Sequence, residues 1–241
     1  MTQKVLIIGG SSGLGRQLAT LYASDSARVA VIARRGQLLT ELKNQYPSIL
    51  IRQADMAEPD ISSIIGAIIH ELGGLDTLII AASIIHFNPD MKWQYEKETI
   101  DVNVAGFTRV LDIAWTYFKS QGKGQIVGIS SIAAIRGNKM APAYHASKSF
   151  QHIYLESLRV RAGFEKNNIT VTELIPGYMK TEMGKGDRMF WIASVEKAAR
   201  QAFRAIQARK NIAFITKRWW FVFQIQKHLP FWLYEKLVNR K

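Results

Sequence analysis

The chain is 241 residues long, 48% hydrophobic and 21% charged, enough for one α/β domain with a sizeable core and too apolar for disorder. It has no cysteine, which excludes disulfides and thiolate metal sites, and its five histidines are scattered without paired ligand spacing. A net charge of +13 admits a solvated basic surface, a nucleic-acid face or attraction to an anionic membrane, and no nucleic-acid motif accompanies it. The amino terminus enters a strand at once without a signal peptide, and no run reaches the roughly 18 apolar residues of a spanning helix. A cytoplasmic protein is the expectation.

Lys4–Ile8 reads as a short apolar strand, followed by Gly9-Gly10-Ser11-Ser12-Gly13-Leu14-Gly15 and a helical pattern through Leu18, Leu21 and Tyr22. Strand, glycine turn and helix form a device for holding a diphosphate. Glycines let the backbone approach, and the helix N-terminus offers free N–H groups and a positive dipole. A tight turn without a ligand is the plainer alternative. The second strand, Arg28–Ala33, ends at Arg34-Arg35. An NAD site places a carboxylate here for the ribose 2′-OH, whereas an arginine fork suits a 2′-phosphate. Arg34 therefore favours NADP(H) over NAD(H), with Arg35 either solvated or sharing the phosphate.

A helix over Gln37–Tyr46 leads to a strand at Ile49–Gln53, then Asp55-Met56 and an amphipathic helix, Ile61–Leu72, closed by Gly73-Gly74. Strand Leu75–Ile80 runs into Ala81-Ala82-Ser83, and His86 beyond it reads as a loop residue. A long helix from about Tyr95 to Ser120 carries Asn103 among Val, Ala and Gly, where a polar side chain asks for a reason.

Gln125–Lys148 reads as a buried strand, a polar loop with Ser130 and Ser131, and a helix start that stacks Tyr144 and Lys148 at i and i+4. The ammonium is expected to favour the ionised phenol, drawing a pKa near ~10 toward working pH so that Tyr144 exchanges a proton near neutrality. Ser131 is placed to orient a carbonyl oxygen. The helix continues through Phe150–Glu165. Strand Ile169–Ile175 ends in Pro176-Gly177, with Thr181 four residues on. Ser194 caps a helix to about Arg209, and Asn211–Ile215 is a seventh strand. Seven strands alternating with helices predict a single doubly wound parallel sheet, Rossmann-like, with helices on both faces. Gly9, Arg34, Asp55, Ala81, Ser131 and Pro176 all fall at or just beyond strand C-terminal ends, where the crevice of such a sheet binds ligands.

Ser131 with Tyr-His-Ala-Ser-Lys (144–148), and Gly9, Gly13 and Gly15 as G-x-x-x-G-x-G, resemble the site and glycine loop of the short-chain dehydrogenase/reductase family over about residues 4–216. The resemblance implies an NADP(H)-dependent carbonyl reductase or alcohol dehydrogenase. Tyr144 would donate or accept the proton, Ser131 would bond the substrate oxygen, and Lys148 would lower the Tyr144 pKa and anchor the nicotinamide ribose. Asn103 would bend its helix and hold a water linking Lys148 to solvent. The implied cofactor set is Gly9, Ser11, Ser12, Gly13, Leu14 and Gly15, with Arg34 and Arg35. Asp55 would meet the adenine amino group, or serve as a helix N-cap, with Met56 against the ring. Ala81, Ala82 and Ser83 would lie near the nicotinamide ribose with Tyr144 and Lys148, and Pro176, Gly177 and Thr181 would hold the carboxamide. Three departures stand out: Ile8 for the family's Thr, Ala33 for an NAD enzyme's Asp, and Ile80-Ala81-Ala82-Ser83 for Asn-Asn-Ala-Gly, whose amides stitch the central sheet. Family members commonly pair long helices into homodimers or homotetramers.

The short lid between Thr181 and Ser194, with Ile132, Ile135, Met140, Tyr178, Met183, Met189, Phe190 and Trp191, points to an apolar or lipid-like carbonyl substrate, or to simple packing. Residues 217–241 combine clustered aromatics with six Lys/Arg and one Glu. They read either as a peripheral membrane-surface segment or as helices packed on the 1–216 domain or a neighbouring subunit. Two other functions remain open: an NADP(H)-binding sensor or scaffold without turnover, and a membrane-surface interaction protein.

Overall fold

The computed structural model describes residues 2–181 and 190–239. In chain order the strands are β1 (Lys4–Ile8), β2 (Arg28–Ala33), β3 (Leu50–Gln53), β4 (Thr77–Ile80), β5 (Lys123–Ile129), β6 (Asn168–Pro176) and β7 (Ile212–Ile215). They form one parallel sheet in the order β3-β2-β1-β4-β5-β6-β7. The order reverses at β1, so β1 and β4 open a crevice at their C-terminal ends. The Rossmann-like sheet expected from the sequence is present.

Both faces of the sheet are covered, which is why β1, β2 and β4 are apolar without alternation. Leu6 and Ile8 of β1 join the cluster under α3 (Ile61–Leu72), α5 (Phe107–Gln121) and α6 (Pro142–Phe164). Val5 and Ile7 join the opposite cluster, under α1 (Gly13–Ser24), α2 (Gly36–Gln45) and α7 (Val195–Gln207). Ser194 caps α7 as expected, its hydroxyl accepting from Lys197 N.

The single long helix predicted over residues 95–120 is in fact three segments: α4 (Trp93–Ile100), a π turn (Asp101–Gly106) and α5. The widened turn follows from two contacts. Gly106 lies so close to the chain at Met56 that a Cβ would fall 2.9 Å from the Met56 carbonyl oxygen. Asn103 is drawn toward the loop after β4 by hydrogen bonds described below. π turns of this kind tend to mark functional sites.

The chain after β7 folds as α8 (Trp219–His228) and α9 (Phe231–Asn239), separated at Pro230. Trp219 and Phe223 are buried, whereas Trp220, Phe221 and Ile225 of α8 and Phe231 and Trp232 of α9 are exposed. The inner face of the tail therefore packs on the domain, and its outer face remains aromatic and uncovered. No helix among the described residues is long and apolar enough to cross a membrane.

Candidate active site

The glycine loop lies between β1 and α1, where Gly13, Leu14 and Gly15 begin the helix. Gly9 has φ +88°, and a Cβ there would fall 2.3 Å from Ala82 N and 2.5 Å from Ala82 Cα. Only glycine lets the two loops cross so closely. Ala81 N and Ala82 N both donate to the Ile8 carbonyl, which fastens the β4 loop to the end of β1. Ser12 is the N-cap of α1, but its side chain makes no capping bond to the first amides of the helix. Ser11 is buried beside them. A crowded cradle with uncapped helix amides fits the diphosphate of a dinucleotide.

The arginines at the end of β2 flank this cradle. Arg34 Nη1 lies 3.5 Å from Asp55 Oδ2, with more than half its side chain exposed. Arg35 is exposed, and its guanidinium reaches the Ser12 hydroxyl in the glycine loop. Asp55 is not the N-cap of α3, a position held by Asp60; its Oδ1 accepts from Ala57 N at 3.0 Å. Met56 is 3% exposed and packed in the core beneath the π turn, so its side chain is not free to lie on an adenine ring. Periodicity gave no sign of this, because the contact comes from the distant Gly106.

The loop after β5 and the first turns of α6 bring the reacting groups together. Ser131 Oγ accepts from Ala133 N at 3.1 Å, opening a 3₁₀ turn at Ile132–Ala134. α6 starts with Pro142 and has no side-chain cap of its own; Glu96 of α4 accepts from Ala143 N at 3.0 Å instead. Tyr144 and Lys148 follow on one face, with Lys148 Nζ 5.6 Å from the Tyr144 ring centroid. Lys148 is 2% exposed, and its ammonium donates to the Ile129 carbonyl at 3.0 Å and to Gln151 Oε1 at 2.9 Å.

Burial dominates the titration of both groups, which corrects the expectation that Lys148 sets the Tyr144 pKa. Desolvation pushes the Tyr144 phenol above its ordinary value, with the Ser131 hydroxyl acting in the opposite direction. Desolvation also lowers Lys148 to about 7, against the attraction of the Glu173 carboxylate. The phenol is thus held protonated, and the ammonium changes charge near neutrality.

Asn103 is fully buried, and its side chain spans two elements. Oδ1 accepts from Ile84 N at 2.9 Å and Ser83 Oγ at 3.1 Å; Nδ2 donates to the Ile84 carbonyl at 2.8 Å and Ser147 Oγ at 3.1 Å. Its backbone carbonyl accepts from Gln151 Nε2 at 2.8 Å. The Gln151 side chain bridges this carbonyl to the Lys148 ammonium.

Pro176 ends β6, and a Cβ on Gly177 would fall 2.0 Å from Trp219 Nε1, so the tail is seated directly behind this turn. Thr181 Cγ2 lies 3.7 Å from the position of a Cβ on Gly13, which places Thr181 over the glycine loop. Trp219 gathers Tyr178 at 5.2 Å, Phe190 at 5.0 Å and Trp191 at 5.9 Å between ring centroids. Arg136, five residues past Ser131, donates to the Gln226 carbonyl at 2.7 Å and to that of Leu229, and Tyr234 Oη donates to the Gly137 carbonyl at 2.6 Å. Sequence reasoning missed Trp219, Arg136, Glu96 and Gln151, since nothing local marks them. Met183 and Met189 lie outside the described residues. His86 pairs with Glu98 at 2.9 Å and stacks on Tyr95, as a loop residue. Among the described residues no acidic, His or Cys cluster has the makings of a metal site.

The model of the short chain dehydrogenase family matches residues 3–190. The chain belongs to the short-chain dehydrogenase/reductase family. An uncharacterized oxidoreductase of Mycobacterium tuberculosis is 35% identical over 192 residues, 75% of each chain. The 11-beta-hydroxysteroid dehydrogenase-like 2 of Arabidopsis thaliana is 32% identical over 84% of this chain and 70% of its own. Among solved structures, a short chain dehydrogenase from Bacillus anthracis superposes with a TM-score of 0.79 at 24% identity, covering 88% of this chain and 94% of that one. The actinorhodin polyketide ketoreductase with NADPH has a TM-score of 0.71 at 23% identity, covering 76% and 73%. The protein is an oxidoreductase of this family, with a nicotinamide cofactor and a small-molecule substrate.

Proposed function

We propose that the protein is an NADP(H)-dependent carbonyl reductase or alcohol dehydrogenase acting on an apolar, lipid-like substrate. The observation that carries the reading is the meeting of Ser131 and Tyr144, with Lys148 one turn on, at the C-terminal end of β5. A bound nicotinamide supplies or accepts the hydride. In reduction the Tyr144 phenol, kept protonated by burial, gives its proton to the substrate oxygen. The Ser131 hydroxyl, whose oxygen is already anchored by Ala133 N–H, donates to the same oxygen and stabilises developing charge. A charged Lys148 favours the tyrosinate that results and holds the ribose. Asn103 keeps the β4 loop and α6 in register through its bonds to Ser83, Ile84 and Ser147.

Arg34 and Arg35 beside the cradle support NADP(H), as does the NADPH named for the ketoreductase neighbour. The rings of Tyr178, Phe190, Trp191 and Trp219 support an apolar substrate. We further propose peripheral contact with an anionic membrane through the exposed aromatics and cations of residues 217–241, and self-association through the exposed Ile153, Val160 and Phe164 of α6. The test is NADPH oxidation with a broad panel of ketones and aldehydes. Turnover reduced about 10²- to 10⁴-fold by Tyr144→Phe, with NADPH binding retained, is expected. NADPH binding without turnover on any carbonyl would instead identify a sensor.

A further inference from the structure

Gln151 is a buried polar residue that the proposed mechanism leaves without a part. It is 1% exposed, and its side chain joins two groups: Oε1 accepts from Lys148 Nζ at 2.9 Å, and Nε2 donates to the Asn103 carbonyl at 2.8 Å. A glutamine amide can accept on one side and donate on the other in a fixed geometry, and it passes no proton between them. Together with the Ile129 carbonyl at 3.0 Å, it occupies two of the three N–H groups of the ammonium.

We propose that Gln151 is the positioning residue for Lys148, tethering its ammonium to the main chain of the π turn so that its remaining N–H is directed at the crevice. This rests on the reductase reading for its consequence in catalysis, although the tether itself does not. The tether gives the ammonium a neutral amide partner, itself anchored to the Asn103 carbonyl. A neutral acceptor also suits an ammonium poised to change charge near neutrality, since a carboxylate in the same place would hold it permanently charged.

The groups around Lys148 allow this assignment to be isolated. Its own helix presents Tyr144 one turn before and His152 one turn after. β6 presents Glu173, whose carboxylate is engaged by Ser130 Oγ, by His152 Nδ1 at 2.8 Å and by Arg159 Nη2 at 3.5 Å. The end of β5 and the π turn offer neutral groups, the Ile129 carbonyl and Asn103. Glu173 acts on Lys148 through space and raises its pKa; Gln151 touches it.

The experiment follows the Lys148 charge directly, by titrating the ¹³Cε resonances of lysine-labelled protein and assigning Lys148 by its loss in Lys148→Arg. The wild-type midpoint is expected near 7, far below the other lysines. Gln151→Leu should lower it by roughly one pH unit, and Gln151→Glu should raise it by one or more. Glu173→Gln should also lower it. In turnover, Gln151→Leu should lose kcat and weaken NADPH binding, while Gln151→Glu recovers kcat and moves the alkaline limb upward with the Lys148 midpoint. A residue that only filled space would change thermal stability in both variants and leave the midpoint where it was, and that result overturns the proposal. If Gln151→Leu does not fold, Gln151→Glu decides alone: an unmoved midpoint refutes the tether. Should the wild type reduce no carbonyl while the midpoints shift as stated, the reductase reading falls and the tether stands.

Discussion

Gly9→Ala tests the crossing of the glycine and β4 loops, on which both the sheet and the cofactor cradle depend. At φ +88° an L side chain costs about 1–2 kcal/mol. The added Cβ also lands 2.3 Å from Ala82 N, and backbone cannot step aside as a flexible side chain can. Overpacking of this kind costs about 1–3 kcal/mol more. Gly122→Ala is the control. Gly122 is exposed with φ +74°, and a Cβ there meets nothing within 4 Å, so only the conformational cost applies. Both substitutions gain the same small term from a stiffer denatured chain, so the difference between them isolates the packing cost. In urea unfolding Gly9→Ala should be about 1–3 kcal/mol less stable than Gly122→Ala, or roughly 2–12 °C lower in Tm. NADPH fluorescence titration should show weakened binding for Gly9→Ala alone. Equal stabilities together with wild-type NADPH affinity would refute the reasoning.

Arg34→Asp should weaken NADPH binding by about 10- to 100-fold, the worth of a charge-assisted hydrogen bond, and leave NADH binding equal or better; unchanged NADPH affinity would remove Arg34 from the phosphate site. Lys148 has a folded pKa of about 7, below its unfolded value near ~10.4. The unfolded chain therefore binds more protons between pH 7 and 10, and stability should rise with pH across that window, by up to about 1.4 kcal/mol per unit. Lys148→Met should flatten that rise and be the more stable protein at pH 6–8 in urea titrations, and a slope identical to wild type would exclude the buried charge. Replacing Trp220, Phe221 and Trp232 by Ser should abolish co-sedimentation with anionic vesicles at an unchanged Tm, because all three are exposed; sedimentation as strong as wild type would sink the membrane contact.

Much of this architecture was legible because its signals are local. The apolar strands β1, β2 and β4 announce themselves by composition, and the glycine loop and the i, i+4 pair Tyr144 and Lys148 by spacing. α3 falls at the residues its periodicity indicates, Ile61–Leu72. What remained hidden depends on contacts between distant segments. The π turn arises where Gly106 meets Met56 and where Asn103 reaches Ile84, and neither contact has a periodic signature. Glu96 capping α6 joins residues 47 apart, and Arg136 is held by carbonyls at 226 and 229, about 90 residues away. The titration of the site is hidden from the sequence for a related reason. Sequence shows that an ammonium neighbours a phenol, whereas the desolvation that dominates both comes from everything packed around them.

The same long-range view changes the meaning of the Ile80-Ala81-Ala82-Ser83 departure. Loss of two asparagine amides suggests a loosened sheet, yet the loop is fastened at both ends. Ala81 N and Ala82 N share the Ile8 carbonyl, and Ser83 Oγ and Ile84 N share Asn103 Oδ1. The alanines are also what the crossing tolerates: a Cβ on Gly9 would strike Ala82, and one on Gly15 would come within 3.0 Å of the Ala81 Cβ. A bulkier pair at 81 and 82 would press on the glycine loop from the other side. Ser83 supplies a hydroxyl to the same Asn103 amide that ties α6 in place through Ser147. The departure therefore falls on the joint between loops, where Asn103, rather than the lost amides, holds the β4 loop against α6, the helix that carries Tyr144 and Lys148.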